Sequence, residues 1–167
     1  MQIKFATTSL VLSLLFSPLV LAQNSEVISA DKIKEALTPV PQSRGLGATR
    51  QIEVRPSISL KLSFESNSVK ITRTVEMQLD ELARALQSPE LANKRYSIDG
   101  HTDAKGSAEK NQKLSETRAI AVKKYLVDHY DVSELRLVAH GYGFTKPLQP
   151  SDPYAAENRR VEIVELP

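Results

Sequence analysis

The sequence predicts an α+β fold: one domain in the order β-α-β-α-β-β, with helices packed on a mixed four-stranded sheet. Three observations lead there. Apolar residues recur at a period of two in four stretches and near 3.6 in two longer ones. Strands joined through crossover helices favour parallel neighbours, and helices covering one face of a mixed sheet are the economical packing. The 167 residues, 41% apolar and 25% charged, support one small domain plus extensions rather than two domains.

Residues 1–22 read as a secretory leader. Lys4 supplies the positive start, Leu10, Val11, Leu12, Leu14, Leu15 and Phe16 the apolar run, and Val20 and Ala22 the small-residue cleavage pattern before Gln23. Ser13, Ser17 and Pro18 interrupt the run, which falls short of the roughly 20 apolar residues of a spanning helix. Residues 23–57 are expected to form a tether with one short helix marked by Ala30, Ile33 and Leu37 and stopped by Pro39 and Pro41. Such a helix is marginal alone in water. It either rests on its own domain or forms transiently, and the sharper alternative is a docking helix for a partner. Gly45, Gly47 and Pro56 mark loose chain, with Arg44, Arg50 and Arg55 spread along it.

The compact domain covers residues 58–167. Ile58, Leu60, Leu62 and Phe64 alternate with other residues as in a half-buried strand. Thr72 is placed to cap a helix over 73–87, whose Val75, Leu79, Leu82 and Leu86 share one face. Residues 95–100 form the second strand, with Tyr96 and Ile98 on one side. Gly106 allows a turn and Ser107 caps a second helix over 108–129, buried along Leu114, Ala121, Val122 and Tyr125, with Leu126 adjoining. A third strand is expected over 135–140, with Leu135, Leu137 and Ala139 on one side, broken by Gly141-Tyr142-Gly143. A proline-bearing loop over 145–158 leads to a fourth strand over 160–166, with Val161 and Ile163 inward.

The charge is +2, which gives no field for nucleic acid. The absence of cysteine excludes disulfides, thiolate metal sites, cysteine nucleophiles and a lipid-modified cysteine. The chemistry concentrates in Gly100-His101-Thr102-Asp103 and the helix after it, which carries Asn111, Leu114, Ser115 and Arg118. A fixed carboxylate and a fixed guanidinium on one cleft can clasp a ligand bearing both an ammonium and a carboxylate. Two plainer roles stand beside that one. A loop Asp often bonds its own backbone, and an Arg bordering a buried face can lay its stem on apolar surface.

A set of short motifs decides which role to weigh. Phe64-Glu65-Ser66-Asn67, Gly100-His101-Thr102-Asp103, Gly106-Ser107, Asn111, Leu114-Ser115, Arg118-Ala119, Gly141-Tyr142-Gly143, Pro147 and Asn158-Arg159-Arg160-Val161 together resemble the OmpA-like (OmpA C-terminal) peptidoglycan-binding domain family. The resemblance runs from Ile58 to Val164. It implies non-covalent binding of peptidoglycan through the diaminopimelate of the stem peptide, anchoring the protein to the cell wall in the periplasm or at the outer membrane. It assigns the ammonium to Asp103 and the carboxylate to Arg118. Asn111 and Thr102 would line the cleft, with Asn67 and Arg159 closing it from neighbouring strand ends. A guanidinium grips a carboxylate with two parallel bonds, which lysine cannot do. Two opposite charges at fixed separation select a zwitterion, because any other ligand leaves one charge unpaired.

The sequence departs from the family in places. Glu65 stands where Asp is common and is left out of the site. Thr72-Arg73 replaces the usual Thr-Pro helix opening. No lipidation cysteine and no β-barrel segment precede the domain. No cofactor, metal site or enzymatic activity is expected. His101 and Asp103 could offer two metal ligands, but no third follows at a recognised spacing and His140 stands at a strand end, and Ser107 and Ser115 lack a nucleophile elbow. The competing readings are an envelope protein–protein module recruited through the N-terminal segment and a cell-wall hydrolase. Against the second, a lone His beside a turn more often bonds its own loop than serves a catalytic site.

Overall fold

The structure, a computed structural model, describes residues 27–39, 55–62, 64, 65 and 68–167. The leader over 1–22 with its cleavage point, Arg44, Gly45, Gly47, Arg50 and the site candidate Asn67 lie outside the described residues. Seven elements follow in order: α1 (Ala30–Leu37), β1 (Ser57–Leu60), α2 (Arg73–Leu86), β2 (Arg95–Gly100), α3 (Ala108–Tyr130), β3 (Leu137–Gly141) and β4 (Val161–Leu166). Short 3₁₀ turns, Glu134–Arg136 and Ala156–Asn158, precede β3 and β4.

The sheet runs β1-β4-β2-β3 and is mixed, as the α+β reading requires. β4 lies antiparallel between β1 and β2, while β3 pairs parallel with β2 across the α3 connection. The period of two sorts the side chains. Ile58, Ile163, Ile98 and Ala139 stand in register across the four strands and pack into the helix-covered core. One step along, Ser59, Glu162, Asp99 and His140 form the matching row on the opposite face. Val75, Leu79, Leu82 and Leu86 of α2 are all buried, as their spacing predicts.

α1 belongs to this core. Ile33 and Leu37 are fully buried in the same apolar cluster as α2 and the sheet. Ser29 makes no side-chain cap; the free N–H of Ala30 instead donates to Glu81 Oε2 at 2.8 Å. Gln78 clasps the backbone of Ile28 at both ends, accepting from its N–H at 2.7 Å and donating to its carbonyl at 2.9 Å. The domain's own second helix thus supplies the partners that a marginal helix needs. The apolar face that would have served a docking partner is covered from within.

Four sequence expectations need correction. β1 ends at Leu60, and the backbone continues through N–H bonds from Leu62 to the Leu60 carbonyl and from Phe64 to the Leu62 carbonyl. Leu62 is buried and Phe64 packs against the core, so the alternation was right and the ladder was not. Thr72 holds the N-cap position without a side-chain bond, whereas Ser107 does accept from Lys110 N at 3.3 Å. The third strand starts two residues late. Residues Glu134–Arg136 turn, Leu135 is 86% exposed, and Arg136 instead ties the turn to the carbonyls of Leu86, Leu91 and Lys94. Finally, the buried face of α3 is Asn111, Ser115, Arg118, Ala119, Val122 and Leu126, with Leu114, Ala121 and Tyr125 only half-buried. An apolar-stripe rule misplaces that face because its first half buries polar side chains.

Candidate functional site

Those polar side chains line a cleft of about 650 Å³, bounded by Phe64, the Thr102–Gly106 turn, the first three turns of α3 and Arg159. The cleft exists because α3 sits close to the strand ends. β2 finishes in Gly100 and β3 in Gly141, and a β-carbon at either would run into the α3 backbone at Ser115 or Glu116. Gly106, at φ 91°, then reverses the chain into the helix. Thr102 N–H donates to the Gly143 carbonyl at 2.8 Å, and Gly143 N–H donates to Ser115 Oγ at 2.8 Å. The loops after β2 and β3 are thereby fastened to each other and to α3.

Asp103 is buried. Its Oδ1 accepts from its own loop, the Lys105 N–H at 3.2 Å, as loop aspartates commonly do. Its Oδ2 accepts from Arg159 Nη1 at 2.8 Å. Asn111 Nδ2 donates to the Lys105 carbonyl at 2.7 Å and locks the same turn to α3. Thr102 Oγ1 is buried and finds no partner among the described residues. A buried hydroxyl without a partner is costly, and a ligand atom in the cleft would satisfy it.

Arg118 is 7% exposed. Its Nε donates to the Ser68 carbonyl and its Nη2 to the Glu65 carbonyl, both at 3.1 Å, and its guanidinium lies 5.0 Å from the centre of the Phe64 ring. Among the described residues no carboxylate pairs with it. Burial, reinforced by the charge of Arg159, pulls its pKa below the usual arginine value, and Asp103 acts in the opposite direction across the cleft. Among the described residues, the site therefore holds one acid paired with Arg159 and one buried cation whose hydrogen bonds go to neutral carbonyls.

Five of the six site residues read from the sequence, Thr102, Asp103, Asn111, Arg118 and Arg159, meet at this one cleft. The sixth, Asn67, lies outside the described residues. Phe64, Lys105, Lys110 and Leu114 line the cleft as well and were not among the six. Phe64 was legible as an inward position of the first strand. Glu65, set aside for its longer side chain, contributes through its backbone carbonyl, which any residue type would provide.

The histidine expectation fails. Among the described residues the His101 side chain makes no hydrogen bond: both ring nitrogens are buried, Glu162 Oε2 lies 3.7 Å from Nε2, and the ring stacks on Tyr142 at 5.5 Å. Burial first, then Arg160, lowers its pKa to about 4, with Glu162 opposing. It belongs to the sheet's other face with Asp99 and Glu162. Among the described residues, no cluster of three or more His, Asp or Glu side chains can hold a metal ion, and no helix is long and apolar enough to cross a membrane.

Comparison with known proteins gives a consistent relationship. The OmpA family model matches residues 63–160. Outer membrane porin F of Pseudomonas aeruginosa is 36% identical over 113 residues, covering 65% of this chain and 31% of the porin. The peptidoglycan-associated lipoprotein of the same organism is 35% identical over 102 residues, covering 60% of this chain and 58% of the lipoprotein. The solved structure of the cell wall anchor of the T6SS from Pseudomonas aeruginosa superposes with a TM-score of 0.57 at 26% identity, covering 82% of this chain and 92% of that one. The chain thus spans about a third of porin F and under two thirds of the lipoprotein.

Proposed function

The chain belongs to the OmpA family, and from that premise we propose that it binds peptidoglycan without forming a bond to it and anchors itself to the cell wall. The ligand group is the diaminopimelate of the stem peptide. Arg118 takes its carboxylate, Asp103 its ammonium, Thr102 and Asn111 line the cleft, and Asn67 and Arg159 close it. The protein acts in the periplasm, at the wall or outer membrane, after loss of residues 1–22. The names of two relatives support the wall assignment: one is peptidoglycan-associated and one is a cell wall anchor.

One observation carries the reading: the cleft buries a guanidinium with no acid partner among the described residues, beside an unpartnered hydroxyl. A buried cation attended only by carbonyls gains most from an incoming carboxylate, which it meets in bidentate geometry. The described residues that line the cleft offer one acid rather than the pair a hydrolase would use. That acid, Asp103, is held by Arg159. The deciding experiment is sedimentation of the mature protein with purified sacculi, wild type against cleft variants. Co-sedimentation that is lost in the variants, with no soluble fragments released, supports the reading; wild-type protein left wholly in the supernatant rejects it.

A further inference from the structure

The proposed ligand brings one cation and one anion, but the free cleft is not a matching pair of bare charges. Its lining carries Lys105, Lys110, Arg118 and Arg159 against Asp103. The two exposed lysines make no described ion pair. Asp103 already has a cation, Arg159, at 2.8 Å, and its remaining oxygen is taken by Lys105 N–H. The Asp103 side chain is 10% exposed, whereas that of Arg159 is 46% exposed. The carboxylate is fixed and enclosed; the guanidinium that covers it reaches in from water.

We infer that Arg159 is the specificity-determining residue of this site: in the free protein it occupies the place of the ligand's ammonium, and binding exchanges one cation for the other. This rests on the clamp reading above. The exchange has a direct consequence. A carboxylate as enclosed as Asp103 is costly to leave unpaired. Arg159 ensures that it never is, whether or not the ligand brings an ammonium. A ligand with a carboxylate alone can dock on Arg118 while Arg159 stays in place. A ligand with both groups gains the Asp103 contact but first displaces Arg159, whose exposed end returns to solvent at little cost. The zwitterion preference expected from two bare charges is therefore softened. The carboxylate end supplies most of the affinity, and the ammonium end adjusts it.

The probes are the tripeptide L-alanyl-γ-D-glutamyl-meso-diaminopimelate and the same peptide acetylated on its free side-chain amine, titrated calorimetrically into wild type, Arg159→Gln and Arg118→Lys. The readout is the ratio of the two affinities, which cancels any contact Arg159 makes to the rest of the ligand. Wild type should favour the free amine by less than about tenfold. In Arg159→Gln the ratio should rise at least tenfold further, because the acetylated peptide now leaves Asp103 bare. An equal ratio in wild type and Arg159→Gln overturns the inference and leaves the clamp standing. Affinity for both peptides unchanged in Arg118→Lys, or no binding of either peptide to wild type, overturns the clamp and the inference with it. Circular dichroism of the variants excludes unfolding as the cause.

Discussion

The backbone of Gly100, at the end of β2, lies against that of Ser115 in α3 so closely that a β-carbon on the glycine would overlap the Ser115 carbonyl oxygen. Both atoms in that contact are backbone, so neither can rotate away. Gly100→Ala must push α3 off the strand ends. Overpacking of this kind typically costs about 1–3 kcal/mol. Because α3 carries Asn111 and Arg118 into the cleft, the displacement also spreads the site. The expected result is a lowered melting temperature together with weakened sacculus binding. A variant as stable as wild type would place α3 farther from the sheet than described.

Removing either end of the clamp should weaken binding. Truncating one partner of a buried charge pair costs about 2–5 kcal/mol, so Arg118→Ala should lose roughly thirty-fold or more, about 1.4 kcal/mol being tenfold, whereas Asp103→Ala, whose contact the ligand gains only by displacing Arg159, should lose less than about tenfold. The double variant should lose less than the sum, because both groups serve one ligand. The two singles should differ in stability. Arg118 also fastens the carbonyls of Glu65 and Ser68, so Arg118→Ala frees the chain between β1 and α2 and lowers the melting temperature. Asp103→Ala releases Arg159, an exposed residue, at little cost to the fold. Arg118→Lys should recover part of the stability and little of the affinity. Wild-type binding by both folded singles would remove the clamp.

How much of this could be read from sequence follows from what each signal measures. The α2 face was legible because Val75, Leu79, Leu82 and Leu86 bury apolar surface and nothing else competes there. The α3 face was misread for the opposite reason. Asn111, Ser115 and Arg118 are buried to build a cleft and to fasten Gly143, and an apolar-stripe rule sorts such residues to the solvent side. Leu135 looked like a strand residue by period, but the Arg136 guanidinium satisfies three backbone carbonyls from inside the turn, which spacing cannot reveal. The cleft residues themselves came from motif matching. Their pairing did not: that Asp103 is already bonded to Arg159 while it faces Arg118 across the cleft depends on a contact 56 residues apart in sequence.

The leader makes a prediction of its own. If residues 1–22 are removed on export, N-terminal sequencing of envelope material should read Gln23. An intact Met1 would refute cleavage.

His101 should make stability fall in mild acid. Its folded pKa of about 4 lies below the ordinary histidine value of 6.5, so between those pH values the unfolded chain binds more protons. Its contribution is fully present above pH 6.5 and is lost as pH falls towards 4. A shift of this size is worth on the order of 1–3 kcal/mol. Asp99 works the other way: burial, only partly offset by Ser97, His140 and Lys146, raises its pKa, and Glu162 adds to the rise. The total slope is therefore smaller than His101 alone would give. The difference between wild type and His101→Phe isolates it. Phenylalanine keeps the stack on Tyr142 and cannot take a proton, so its melting temperature should fall less between pH 7 and 4.5 than that of wild type. Equal slopes for the two proteins would mean that His101 is not protected from protonation.

The last prediction concerns α1, which on sequence alone could have been a tether helix. Ile33 and Leu37 are fully buried, the N-terminus of the helix is capped by Glu81, and Gln78 bonds both backbone groups of Ile28. Eight residues cannot hold a helix in isolation. Its order must come from burial, and the burial must be mutual: Val75, Leu79 and Leu82 share the cluster. Leu37→Ala should then cost about 2–5 kcal/mol, the range for truncating a core leucine. Leu82→Ala, in the middle of α2, provides the internal standard. Glu81→Ala should cost about 1 kcal/mol, as loss of a helix cap does. Sacculus binding at a temperature where both leucine variants remain folded should be unchanged, since neither residue lines the cleft. Chemical denaturation of the three variants reads all of this. If Leu37→Ala unfolds at the wild-type denaturant midpoint while Leu82→Ala does not, α1 is not part of the folding unit, and its apolar face becomes available to another protein.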